Sequence, residues 1–499
     1  MRALFFALTL AAAAATPLVG QEASPYLPVS HWAMPFLEHL IAAGRIADPS
    51  PLSRPLKVQD VVRALEAADS TVVTGAEWAV VKRIRGELTR TMRGPSARLD
   101  FEAATTASSH ARRDPLRATG IGHQTFSGSA GLTLYFGPAV IVTRPEIDTR
   151  LKWDPDYAGK KERCVAGRPA EAYVSAQWRL GELFFGSMDR NWGPRFVDGL
   201  LVSPEPYSYD HLDVRIGTDG VYFEGLVTQL DDLPDTSGTP NHRYFIAHRL
   251  TVRPPGSTTF SLWEGTVIAG LDRQLEPWFV NIFTLGLLQQ YDQNVVANSL
   301  VGFDVTTRLK RIQLFGSLLI DDIQVDRQSA GDKKPTQYGF TVGAQRGVGK
   351  VGMTAFYTQV GNLTYRTNTP PEVVARRGVG LARNFADYDQ LTLKGSVIVG
   401  PGALLEPEVT LLRQGEGDFR LPFPTVAQYA TTPALFAGVV ERTVRLAVAG
   451  QVAHGRWTVS GDGGVHLIGN DGHVSGVSKT QWVGRIQVAW RTKKEGRVP

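Results

Sequence analysis

From about Leu99 almost to the C-terminus, apolar residues recur at every second position, which is the period of a strand and not of a helix. Between Thr443 and Ala453 one side carries Val444, Leu446, Val448 and Val452, and the other carries Arg445, Ala447, Ala449 and Gln451. Arg311 to Asp322 repeats the scheme, with Ile312, Leu314, Leu318 and Ile320 against Arg311, Gln313, Ser317 and Asp321. Ala172 to Leu180 sets Val174, Ala176 and Trp178 against Ser175, Gln177 and Arg179. A sheet with one greasy face and one small or polar face packs against a second sheet in a sandwich, or touches lipid outside a barrel.

Connection lengths separate the two. Tight links at Gly137-Pro138, Gly181, Asp219-Gly220, Pro254-Pro255-Gly256, Gly347-Val348-Gly349, Gly400-Pro401-Gly402 and Gly455 alternate with long ones. The long ones cover 153–169, 191–209, 230–242, 322–335, 362–387 and 414–441. Sorting short and long connections in alternation is the habit of an outer-membrane barrel, with tight periplasmic turns and long outward loops. The pattern predicts an all-β transmembrane barrel over 96–490, and its polar faces turn Arg179, Arg445 and Arg485 to the lumen. About nineteen candidate strands are present, whereas a bacterial barrel with both ends periplasmic needs an even number. The parity breaks at Glu276 to Tyr291, which reads as one strand, two strands or a strand plus a helical turn. About 18 antiparallel strands is the expectation, with about 16 next. The last run sets Trp482, Ile486, Val488 and Trp490 against Arg485 and Gln487, and it resembles the terminal strand that the barrel-insertion machinery reads. Residues 491–499 then form a polar C-terminal tail.

The first 95 residues keep a different period. Met1 and Arg2 followed by the apolar stretch Ala3 to Ala15 read as a secretory signal, 1–20. A small periplasmic α-helical bundle follows over 21–95. Pro35 opens a helix with Phe36, Leu37, Leu40 and Ile41 on one face and Gly44 after it. Val58, Val61, Val62 and Leu65 make a second face. Thr74 with Glu77 is a capping box ahead of Trp78, Val81, Ile84 and Leu88. His31 to Ile46 resembles the start of an S-layer-homology-like repeat, a class of cell-wall-binding helical modules, but a small helical bundle closing or supporting something larger is the preferred reading.

Composition narrows the function. The single cysteine, Cys164, excludes an internal disulfide framework and a Cys-rich metal site. The net charge of +5 is scattered, so nucleic acid is not the partner expected. There is no Gly-x-Ser-x-Gly elbow, His-Glu-x-x-His, phosphate loop or dinucleotide fingerprint, so neither an enzyme nor a cofactor is expected. The carboxylate pairs Asp231-Asp232 and Asp321-Asp322 end strands, and Gly461-Asp462-Gly463-Gly464 and Asn470-Asp471-Gly472 read as turns or bulges.

Asp189-Arg190-Asn191-Trp192-Gly193-Pro194, followed by Gly199-Leu200-Leu201-Val202-Ser203-Pro204, resembles the strand-breaking corner of capsule-assembly proteins of the Wzi type. Asn298 to Thr306, with Gly302 and Asp304, is similar to that family's Asn, Gly, Asp strand, and Asp321-Asp322 ends the next strand as an acidic pair does there. Arg195 stands where Gly is commoner. The resemblance implies an outer-membrane barrel, set in lipid, that helps attach or assemble capsular or other surface polysaccharide. The alternative is a diffusion porin for small solutes.

Candidate glycan contacts follow from chemistry. At the corner, Trp192 could stack a sugar ring, Arg190 and Arg195 could pair with an acidic glycan, and Asn191 could bond hydroxyls; the same residues also suit a purely structural corner. The outward loops add Tyr207, Tyr209, Tyr365, Arg366, the pair Arg376-Arg377, Phe419, Arg420 and Tyr429, aromatics beside arginines that suit an anionic polysaccharide or ordinary loop packing.

Overall fold

The computed structural model describes residues 22–498 apart from 74, 114–117, 164, 236, 289–296 and 323–332. The secretory signal 1–20, Thr74 of the capping box and Cys164 lie outside the described residues.

Eighteen strands close into one antiparallel barrel among the described residues. They are β1 (Ser96–Ser108), β2 (Gln124–Phe136), β3 (Ala139–Asp148), β4 (Ala166–Trp178), β5 (Gly181–Met188), β6 (Tyr209–Gly217), β7 (Val221–Gln229), β8 (Pro240–Val252) and β9 (Thr259–Gly270), then β10 (Asn298–Leu309), β11 (Ile312–Asp322), β12 (Gln337–Val348), β13 (Val351–Val360), β14 (Tyr388–Gly400), β15 (Ala403–Gln414), β16 (Glu441–His454), β17 (Trp457–Gly469) and β18 (Ser478–Arg497). Each strand pairs with its chain neighbour, and β18 closes on β1 in register from Arg485↔Ser108 to Arg497↔Ser96. Closure leaves no open edge, so every spanning backbone group finds a partner inside hydrocarbon.

The alternation decides which face meets lipid. Leu446, Val448 and Val452 of β16 are exposed on the outer wall, while Thr443, Arg445 and Ala447, at the alternate positions, are buried inside. Tight turns such as 137–138, 349–350 and 401–402 gather at one end, together with Ser96 and Arg497, and the long loops gather at the other.

Several expectations are corrected. The surplus strand over 276–291 does not exist among the described residues: Pro277–Val280 is a helical turn within the long β9–β10 loop, because Pro277 cannot donate to a ladder but can begin a helix. Residues 491–497 are not a free tail, since they extend β18 against Ser96 to Glu102, where Arg491 faces Glu102 and Lys493 faces Asp100. Gly461-Asp462-Gly463-Gly464 lies inside β17 in unbroken register, so it is neither turn nor bulge. Arg179 sits exposed in the short β4–β5 turn, not in the lumen.

The N-terminal helices are α1 (Met34–Ala42), α2 (Val58–Glu66) and α3 (Gly75–Leu88). Phe36, Leu37, Leu40, Val61, Leu65, Val81, Ile84 and Leu88 share one apolar cluster with Ile398, Leu404 and Ala453 of the barrel wall. Polar bonds fix this unit across the short-turn mouth: the Ala23 N–H donates to the Gly137 carbonyl (2.7 Å), Arg45 to Gly349 (2.6 Å), and Arg83 to Gly455 (2.8 Å). Glu77, the acid of the expected capping box, receives Arg45 (3.1 Å). Arg54 is sealed inside the unit, where Glu38 (2.9 Å) and Asp48 (2.8 Å) neutralise it.

Candidate functional site

The corner 189–194 begins a loop that turns into the barrel rather than out of it. β5 ends at Met188, and Asn191 then folds the chain through Gly193-Pro194 around its own amide. Its Oδ1 accepts from the Gly199 N–H (2.7 Å), and its Nδ2 reaches the carbonyls of Pro194 (3.0 Å), Val197 (3.1 Å) and Gly193 (3.3 Å). The folded loop delivers Trp192, Leu200, Leu201 and Val202 into the lumen. There they pack on the inward residues Leu226, Phe245, Val267, Leu300, Leu319 and Val360, and on Tyr365, Leu381 and Phe419 from other long loops. At about 1.5–3 kcal/mol for each fully buried large side chain, this core holds the loop firmly in place. Below it, reciprocal backbone bonds of 2.9 Å between Arg54 and Asn191 join the loop to the N-terminal unit. The lumen is therefore filled from both sides.

This placement assigns structural contacts to most of the candidates. Trp192 is 3% exposed, with Arg249 over its ring at 5.2 Å, so no ring face is left for a sugar. Arg190 is buried between the Phe184 ring (4.6 Å) and His211 (2.6 Å), facing Asp213. Tyr209 is buried in the lumen core beneath Arg376 (5.5 Å). Tyr365 donates its hydroxyl to the Leu200 carbonyl (2.7 Å), and Arg366 bonds the Pro422 carbonyl. Phe419 is buried, while the exposed Arg420 ties the loops together through Gly378 (3.0 Å) and Asn384. Tyr429 is half-buried against Phe423, Arg377 is exposed, and so is Arg195, beside the Phe196 that packs on Phe315 and Phe356. The expected set is thus not brought together into one site.

One candidate, Tyr207, lines a cavity of about 470 Å³ in the long-loop half of the lumen. Among the described residues its walls come from β1 to β4, from Asp462 of β17, Arg485 and Gln487 of β18, from Ser30, and from the 109–123, 149–165 and 189–208 loops, and include Arg112, Arg150, Asp154, Arg168, Asp189 and Glu205. The sequence shows no long loop at 109–123, which hid Arg112; the signal for the rest was Arg150 and Lys152 set between Asp148 and Asp154. Arg112 meets Glu205 (2.8 Å) and Asp156 (3.3 Å), Arg150 meets Asp148 (3.2 Å) and Asp154 (3.0 Å), and Arg168 meets Glu146 (2.9 Å). The Tyr207 hydroxyl donates to Asp154, with Arg168 over its ring at 5.0 Å. Burial pushes the Tyr207 phenol well above its ordinary range, against the pull of Arg150, and the Asp154 carboxylate adds to the rise. Burial likewise lifts the Asp189 carboxyl to about 6, against the pull of Arg168, and Asp189 makes no ion pair among the described residues. Planar donors and acceptors beside an aromatic ring form an environment suited to hydroxyl-rich ligands, and Arg112, Arg150 and Arg168 are each held by a carboxylate. Among the described residues no group of three His, Cys, Asp or Glu is arranged to hold a metal ion.

The resemblance of Asn298 to Thr306 also gains a physical content. Asp304 faces inward and receives Arg249 (3.2 Å) and the Ser317 hydroxyl (2.7 Å), and Gly302 is small because the Trp263 ring lies against it.

No protein-family model matches the chain, and no curated protein matches it. Its fold is similar to that of Wzi, described as an outer membrane protein involved in group 1 capsule assembly in Escherichia coli and as a carbohydrate-binding β-barrel: TM-score 0.63, 13% identity, 96% of this chain and 100% of that one. Pseudomonas aeruginosa OprD aligns with TM-score 0.45, 10% identity, 81% of this chain and 97% of its own, and OpdK of the same organism with 0.45, 12%, 80% and 99%. The chain therefore has the fold of an outer-membrane barrel, with Wzi as a structural neighbour over nearly its whole length.

Proposed function

We propose that this barrel holds or assembles capsular or other surface polysaccharide at its long-loop mouth and is not a diffusion pore. The observation that carries the reading is the filled lumen: a core of Trp192, Leu200, Leu201 and Tyr365 lies across the path, and the N-terminal unit covers the opposite mouth. A pore for small solutes needs a polar, unobstructed path, so a porin reading would require this loop to undock. The fold shared with a carbohydrate-binding barrel supports the same direction. The short-turn end with its helices faces the periplasm, β18 is the strand read by the insertion machinery, and the cavity around Tyr207 is the polysaccharide contact. The exposed Arg377, Arg420 and half-buried Tyr429 extend that surface across the mouth.

The test is reconstitution of the purified barrel in planar bilayers, alongside titration with the organism's own surface glycan. The proposal expects no steady conductance, together with glycan binding that weakens when Tyr207→Ala and Arg168→Ala are combined. Steady conductance without glycan binding would install the porin reading.

A further inference from the structure

Residues 271–288, between β9 and β10, take a course of their own. They fold back down the outer, lipid-facing wall: Phe279 is buried against Ile246 and Ile268, with Val227 and Tyr244 beside them, and Phe283 meets Phe223 edge-on at 5.1 Å. Contact is so close at Gly225 that a Cβ there would stand 2.2 Å from Ile282. Beneath the loop the wall carries a carboxylate that bare lipid would not tolerate. Glu264 is 2% exposed and shares a register pair with His248, whose Nδ1 lies 2.9 Å away. The free N–H groups of Gly286 (2.6 Å) and Leu287 (3.3 Å) donate to Glu264. Six positions separate Glu264 from Gly270 at the strand end, which at the usual rise and tilt places it about 15 Å down the wall. Other backbone donors close within helical turns, Asn281 on Pro277 (3.0 Å) and Thr284 on Asn281 (3.0 Å). Irregular backbone can lie beside hydrocarbon only if its polar groups are satisfied in this way.

The opposite face of the loop is apolar and exposed: Leu271, Trp278, Phe283, Leu285 and Leu288 continue the lipid-facing surface of β9, where Leu262 is exposed as well. We propose that residues 271–288 form a lipid-immersed strap, clamped to the wall by Glu264, whose outer face binds the acyl chains of the leaflet on the long-loop side. Continuity with the lipid-facing wall identifies the occupant, and the buried carboxylate explains how a non-strand segment survives there.

A spin label at Phe283→Cys, in a Cys164→Ser background and in phospholipid vesicles, reads the environment directly. The strap predicts at least a several-fold greater relaxation by oxygen than by a water-soluble nickel chelate, the reverse of a label at Arg377→Cys on an exposed loop. Adding Glu264→Ala, or Gly225→Val as an independent release by steric clash, should shift the Phe283→Cys label toward the chelate while heat-modifiable migration shows that the barrel still closes. A label at position 283 as open to the chelate as one at 377 in the otherwise unchanged barrel would overturn the proposal, as would an unchanged label in both release variants.

Discussion

Replacing Asn191 by alanine separates a structural corner from a glycan contact. Nδ2 has two hydrogens, so it serves two of its three carbonyls at once, and Oδ1 serves the Gly199 N–H; three bonds are lost at a site 3% exposed. At about 1 kcal/mol net for each, with the stranded buried N–H raising its share to about 1–3, the change costs roughly 3–5 kcal/mol. Charged against loop docking, that multiplies the undocked population about 10²- to 10⁴-fold. Asn191→Asp keeps the acceptor for Gly199 but removes both donors and buries a charge, so it should undock the loop as well. The assay is hydrogen exchange of peptides within 189–203 in detergent: protection should collapse there while the strand peptides stay protected. Unchanged exchange in the alanine variant, accompanied by loss of glycan binding, would refute the structural argument and return Asn191 to the ligand.

Further outcomes follow from the same reasoning. Truncation after Trp490 removes the pairing of 491–497 with Ser96 to Glu102 and opens an edge on β1, so the heat-modifiable fraction should fall sharply on cold electrophoresis. Arg54→Met strands Glu38 and Asp48 beside a buried site and should loosen the N-terminal unit by about 3–5 kcal/mol, read as new protease cleavage within 22–90. Asp189 has a folded pKa of about 6, above its unfolded value of about 3.9, so the folded state holds the proton more tightly; its contribution is full at low pH, declines as pH rises from about 4 to about 6 and is constant beyond. The difference in melting temperature between the unchanged barrel and Asp189→Asn should therefore vary across that window and flatten above it.

The barrel was legible because lipid contact enforces alternation and because loops sort by end; both signals survive in Thr443 to Ala453 and in the turn at Gly137-Pro138. The helices were legible from period and from Pro35 and Gly44. What sequence reasoning lost is the inward turn of 189–208. Its signal was present: Leu200-Leu201-Val202 is an apolar run in a nominally outward loop, and Phe315 and Leu319 are apolar on the lumen face of β11, which together require something greasy inside. Trp192, Tyr209 and Tyr365 stay open between glycan contact and internal packing in the sequence because composition does not say which way a loop folds. The strap misled differently, since Glu276 to Tyr291 is apolar enough for a strand yet carries Pro277, and its partner Glu264 lies on another segment.

A barrel that holds surface polysaccharide makes that polysaccharide depend on it. Deleting the chain from its organism and measuring polysaccharide on cells and in the medium, with small-solute uptake measured alongside, addresses this most directly. Polysaccharide should be shed into the medium with uptake unchanged. Polysaccharide still fully attached, with solute uptake abolished, would contradict that dependence.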